Sequence, residues 1–206
     1  MNIKLYYMPN TRAFRVRWLL EELGIHYQLQ YIDLFKGETH SKAFRAIHPL
    51  GHLPAIEIDG KAMFESGAIC AWLADQFPQA KLAPAFDSAD RREYEQWMYF
   101  VPGEVEPPLF YHQLHNRVLP GDIQVKEILP WLRERYTRTL RALHNQLQNK
   151  QYLLGDNFST ADIMLGSTIS WLPELLEPFP ALENYIKCLS TRKAYINATR
   201  DEVAQS

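Results

Sequence analysis

The chain has 206 residues, 47% hydrophobic and 22% charged, and its 22 Lys and Arg against 24 Asp and Glu leave a formal charge of -2. That is enough chain for one large or two small globular domains with a proper core, which excludes a disordered polypeptide. A near-neutral charge without a long basic block argues against nucleic acid as a partner, no apolar run approaches the roughly 20 residues of a membrane span, and MNIKLYYMPN opens without an apolar targeting region.

Ile3, Leu5 and Tyr7 alternate with Asn2, Lys4 and Tyr6 as a half-buried strand does, and Met8-Pro9-Asn10 ends it. From Thr11 the period turns helical. Val16, Leu19, Leu20 and Leu23 form one stripe, and Gly24 stands where a left-handed residue stops a helix. Tyr27, Leu29 and Tyr31 then alternate with Gln28 and Gln30, which predicts a right-handed βαβ unit with parallel strands. A loop-rich stretch over 33–51 precedes AIEIDGKAMF, a hairpin turning at Asp59-Gly60. Ile69, Trp72, Leu73 and Phe77 follow with helical spacing, and Ser66 is suited to cap that helix.

Residues 78–90, rich in proline and alanine without periodicity, read as a linker. The remainder is helical. One helix runs from about Ala89 with Tyr94, Trp97, Met98 and Val101 on one face, and Pro102, Pro107 and Pro108 should bend or end it. A second runs from about Gln124 to Gln148, with Leu132, Tyr136, Leu140, Leu143 and Leu147 inward. In FSTADIML, Ser159 and Asp162 have capping-box spacing, and Phe158 can staple onto Ile163.

The phosphate loop, the dinucleotide fingerprint, the nucleophile elbow and the zincin motif are all missing from the sequence. Cys70 and Cys188 are far apart among apolar neighbours, which fits a reducing compartment, the cytoplasm, and neither a disulfide framework nor a thiolate zinc site. His112 and His115 have a spacing that could share a metal, but no carboxylate or Cys completes the set nearby, so no metal is expected.

Three short segments carry more specific chemistry. Asn10-Thr11 lies between a strand and a helix start, where orphan N–H groups favour an anion and a hydroxyl or amide can hold a thiolate; Thr11 serves equally as a plain cap. In HPLGHLPA a proline directly precedes a strand. A cis bond at Leu53-Pro54 would turn the Leu53 backbone outward to pair with a ligand's peptide group, and an ordinary edge-strand proline is the alternative. Glu65-Ser66 opens a helix. A carboxylate, a hydroxyl and free N–H groups can grip an α-amino acid there, Glu65 taking the ammonium and Ser66 the α-carboxylate, although the same pair also makes a simple helix start.

MPNTRAFRVRWLLEELG, IHPLGHLPAIEIDG and FESGAI together resemble the N-terminal half of cytosolic glutathione S-transferases, and the helical half with GDNFSTADIML resembles their all-α domain. The likeness covers essentially the whole chain and is strongest to the fungal and bacterial branch whose first helix reads S-R-A-F-R. It implies an α/β thioredoxin-like N-terminal domain over 1–80 that binds glutathione. An all-α helical-bundle C-terminal domain over 88–206 would complete the electrophile pocket. Glutathione is then a cosubstrate whose thiolate is stabilised and transferred to an electrophilic small molecule. A glutathione-dependent peroxidase or disulfide reductase, or a non-catalytic binding protein on the same fold, are the alternatives.

By the same resemblance Pro54 is cis, Leu53 pairs with the cysteinyl group, Glu65 and Ser66 hold the γ-glutamyl group, and His52 reaches the glycine carboxylate. His40 is counted with these glutathione contacts. Thr11 stands where the branch has Ser, with Asn10 as rival for the thiolate, while Tyr6 and Tyr7 lie within the first strand. Pro102 replaces an acidic residue of the relatives, and Glu104 is nearby. A homodimer follows from the resemblance, the N-terminal half of one subunit facing the helical half of the other. Arg12, Arg15 and Arg17 read as a solvated or interface face, and Tyr99, Phe100 and Tyr111 either line an apolar substrate pocket or pack in the core.

Overall fold

The computed structural model describes residues 1–200. Its contacts divide the chain into one unit of Met1–Ala85 with the described residues from Ser190 on, and a second of Phe86–Leu189.

In the first unit, β1 (Ile3–Tyr7) leads through Met8–Arg12 into α1 (Ala13–Leu23), which Gly24 stops at φ +62°, its amide donating to the Glu21 and Leu20 carbonyls. The chain returns as β2 (Gln28–Tyr31), parallel to β1 with Leu5 opposite Leu29. The stretch read as loop contains a 3₁₀ turn, Glu38–His40, and the short helix α2 (Lys42–Arg45), whose first turn is capped by Ser41 accepting from the Phe44 amide. β3 (Ala55–Ile58) and β4 (Lys61–Phe64) form the expected hairpin, with Asp59 at φ +49° and Gly60 at φ +79°. The sheet order is β2-β1-β3-β4, with β3 antiparallel to both neighbours. α3 (Ser66–Gln76) packs against α1, and α9 (Lys193–Ala198) covers α1 elsewhere, where Arg192 grips Glu22 at 2.6 and 2.8 Å.

The second unit is helical. α4 (Arg91–Phe100) does not end at Pro102; the chain widens into a π-helical turn over Val101–Val105 and continues as α5 (Glu106–Gln113), with Pro107 in the first turn. In this continuous run each proline lacks an amide to donate, and the wider turn accommodates the break that Pro102 makes in the i→i−4 ladder. α6 (Leu129–Leu147) buries Leu132, Tyr136, Leu140, Leu143 and Leu147, the stripe that the periodicity predicts. α7 (Thr160–Ile169) is buried along its whole length, and α8 (Pro180–Ser190) follows. The capping box is present. Asp162 accepts from the Ser159 amide at 2.8 Å and hydroxyl at 3.1 Å, and also from the Leu153 amide and the Tyr185 hydroxyl, so four donors satisfy one buried carboxylate.

Candidate functional site

Strand register brings the three ligand-competent segments to one end of the first unit's sheet. Tyr6 is opposite Ala55, and Ala55 is opposite Phe64. Asn10-Thr11 follows β1, Leu53-Pro54 precedes β3 and Glu65-Ser66 follows β4, so the β3 segment lies between the starts of two eleven-residue helices, α1 and α3.

Both helix starts lack an acidic residue in the first turn, and neither N-cap side chain accepts a hydrogen bond. The first amides of α3 have no acceptor among the described residues, whereas the Ala13, Phe14 and Arg15 amides of α1 donate to Thr11 and Arg12, so both helix dipoles but only the α3 N–H groups favour an anion at that sheet end. Thr11 occupies its hydroxyl locally, donating to the Met8 carbonyl at 2.7 Å and accepting from the Ala13 amide at 3.3 Å. Asn10 is exposed, at φ +59°, and no hydrogen bond of its amide is found among the described residues.

The Leu53-Pro54 peptide bond is cis. Leu53 is buried, outside the β3 ladder, and its backbone N–H and C=O have no hydrogen-bond partner among the described residues. Gly51 fixes the approach to this segment. At φ +67° its Cα lies so near Thr39 that an added Cβ would stand 2.5 Å from the Thr39 carbonyl oxygen, which sets the turn holding His40 against the turn holding His52. Both imidazoles are exposed. Behind them His48 is buried, its Nδ1 accepting from the Leu50 amide at 3.2 Å and its ring 5.3 Å from that of His52. Burial holds His48 below the usual histidine range, the charge of His52 adds to that, and Glu65 opposes it.

Glu65 is exposed and sits at φ +71°, ψ +109°, a strained backbone for a residue with a side chain. Its position as N-cap displaces Ser66 from the capping role that the sequence suggests. Ser66 is the first helical residue, and its Oγ accepts a 3.1 Å hydrogen bond from Nη1 of Arg15. Arg15 and Arg17 are not a solvated face: they are 1% and 2% exposed. Arg17 stacks over the Tyr7 ring at 5.0 Å and donates to the Arg200 carbonyl. Tyr7 is thereby buried, and Tyr6 donates to Glu57; burial first, and then this carboxylate, push the Tyr6 phenol up to about 12. Neither tyrosine faces the helix starts as an open acid.

In the second unit, Glu104 pairs with Arg135 at 2.8 Å. Tyr99 and Tyr111 are exposed rather than core, while Phe100 is half-buried against Trp97. His115 accepts from the Val125 amide, and among the described residues no three His, Cys, Asp or Glu group to hold a metal. Cys70 and Cys188 are both free; burial pushes the Cys70 thiol up to about 12. The residue that sequence reasoning missed is Arg15. Its signal is its place between the apolar Phe14 and Val16.

A family model described as "Glutathione S-transferase, N-terminal domain" matches residues 1–75, and one described as "Glutathione S-transferase, C-terminal domain" matches residues 112–193. The disulfide-bond oxidoreductase YfcG of Escherichia coli (strain K12) is 29% identical, over 93% of this chain and 92% of its own length. Glutathione S-transferase 3 of Schizosaccharomyces pombe is 26% identical over 96% of this chain and 80% of its own length. Among solved structures, a glutathione transferase from Burkholderia graminis with two glutathione molecules bound per subunit is 26% identical, with a TM-score of 0.88 over 100% of this chain and 90% of that one.

Proposed function

The chain belongs to the glutathione S-transferase family, and we propose that it binds glutathione at the sheet end described above, holds the sulfur as a thiolate and transfers it to an electrophilic small molecule. The observation that carries this is the pair of helix starts flanking the unpartnered Leu53 backbone. Glutathione is an extended peptide with two carboxylates, an ammonium and a thiol. Its shape and charges match that arrangement.

In this reading the Ser66 hydroxyl and the first N–H groups of α3 take the γ-glutamyl carboxylate, and Glu65 takes the ammonium. The Leu53 backbone beside Pro54 pairs with the cysteinyl group as an added strand would. His52 and His40 attract the glycine carboxylate. The thiol gives its proton to solvent, and the thiolate is stabilised by the α1 N-terminus with Asn10 and Thr11. Sulfur then forms a bond to the electrophilic carbon while the leaving group departs with its electron pair.

The two thiolate donors differ in what they give up. Thr11 must release its bond to Met8, worth about 1 kcal/mol, to gain a charge-assisted one of about 1.5–3 kcal/mol. Asn10 gives up no such bond, which supports it as the main donor with Thr11 second.

We also propose a homodimer in a reducing, cytoplasmic setting. Leu50, 67% exposed, and Phe64, 41% exposed, flank His48 as apolar surface for a second copy to cover. Retention on immobilised glutathione together with turnover of a chloro-nitroaromatic tests the enzymatic reading. Because one relative is named a disulfide-bond oxidoreductase, a disulfide and a peroxide complete the substrate panel. Retention without turnover of any member would leave a binding protein; failure to be retained would overturn the reading.

A further inference from the structure

Ser66 is 6% exposed, and the one hydrogen bond it makes uses its oxygen as acceptor, from Arg15 Nη1 at 3.1 Å. A hydroxyl has one proton and two lone pairs. With a lone pair held by a guanidinium, the proton is turned away from Arg15, and no acceptor for it is found among the described residues. Glu65 does not use it either, since no hydrogen bond of its side chain is found among the described residues. The first N–H groups of α3 start from the same residue.

The guanidinium also brings its charge beneath this helix start. Arg15 is 1% exposed, and its field reaches Cys70, one turn further along α3, where it opposes the effect of burial on the thiol. A cation donating to the serine oxygen polarises the O–H and strengthens it as a donor to an anion.

We propose that Arg15 is a positioning residue for the carboxylate of a γ-glutamyl ligand. It fixes the Ser66 hydroxyl as a donor and adds positive potential behind the α3 N-terminus. The inference rests on the glutathione reading above. It differs from a purely structural role, in which Arg15 only ties α1 to α3 and every ligand suffers equally when it is replaced.

The test is calorimetric titration of the full chain, as parent, Arg15→Gln and Arg15→Lys, with two probes. One probe is S-hexylglutathione, and the other is the same compound with the γ-glutamyl α-carboxylate replaced by hydrogen. Arg15→Gln should weaken S-hexylglutathione about tenfold, a charge-assisted contribution, and the decarboxylated probe by less than about twofold. Arg15→Lys, which keeps the charge but not the reach, should fall between. Equal losses for both probes, or no loss for either, would overturn the assignment. Should Arg15→Gln fail to fold, Arg15→Lys is judged by the same difference between probes. A parent chain that binds neither probe would instead refute the glutathione reading.

Discussion

Ser66 shows how far a single side chain can depart from its sequence signal. It looks like a cap, but the structure makes it the first helical residue, with its oxygen on a buried arginine. Ser66→Ala should therefore weaken glutathione binding by about 1.5–3 kcal/mol, the usual value for a hydrogen bond to a charged group. Because the change removes an acceptor from Arg15, a stability loss of about 1 kcal/mol should accompany it. Titration calorimetry and denaturant unfolding on one sample separate the two effects. An unchanged affinity would leave Ser66 a structural serine. His48 supplies a pH prediction. Its folded pKa lies below the unfolded value because burial, helped by His52, disfavours the cation, against Glu65. The unfolded chain then binds the proton first, so this group's contribution to stability is complete above about pH 6.5 and is lost as pH falls below that value through the lower folded pKa. Unfolding free energies between pH 7.5 and 5.5 should drop more steeply for the parent than for His48→Gln. Parallel curves would remove His48 from the account. Neither Arg15 nor the strained Glu65 was legible in the sequence, because arginine has the composition of surface and glutamate, unlike glycine, asparagine or aspartate, carries no signal for a positive φ.

At the level of elements, much was legible where local chemistry alone decides. The alternation of Ile3–Tyr7, the Gly24 stop, the Asp59-Gly60 turn and the Ser159–Asp162 box all act within a few residues, and all are found. What was not legible depends on partners distant in sequence or on a small change of helical pitch. The π-helical turn at Val101–Val105 lets the chain pass Pro102 where the proline rule predicts a bend or an end. The stretch over 33–51 is ordered by local turns and caps and by the close approach of Gly51 to Thr39, which its composition does not reveal. Gly51→Ala should cost about 2 kcal/mol or more, since it combines a left-handed φ with a Cβ placed 2.5 Å from a backbone oxygen. Gly60→Ala, at φ +79° with nothing within 4 Å of the added atom, should cost only about 1 kcal/mol. Urea unfolding of the two variants makes the comparison. Equal losses would mean that the Thr39 contact does not set the turn.

At the scale of the whole molecule, the family relationship supplies the function, and the first unit supplies the chemistry argued for it. If the proposed homodimer covers the exposed Leu50 and Phe64, small-angle scattering at micromolar concentration should give twice the mass of one chain. The mass of a single chain would contradict the dimer and leave the glutathione site untouched. The central claim is that helix N-termini with Asn10 and Thr11 stabilise a thiolate. A free thiol titrates near pH 8.5, so holding most of it as thiolate at pH 7 requires its pKa to fall by about two units, or about 2.7 kcal/mol. One charge-assisted bond and a helix N-terminus together reach that amount. The most direct measurement is an ultraviolet titration of the glutathione thiolate bound to the parent chain, to Asn10→Ala and to Thr11→Val. The account predicts an apparent pKa near 6.5 for the parent, a rise of about one unit in Asn10→Ala and a smaller rise in Thr11→Val. A bound thiol that titrates like free glutathione in the parent chain would contradict it.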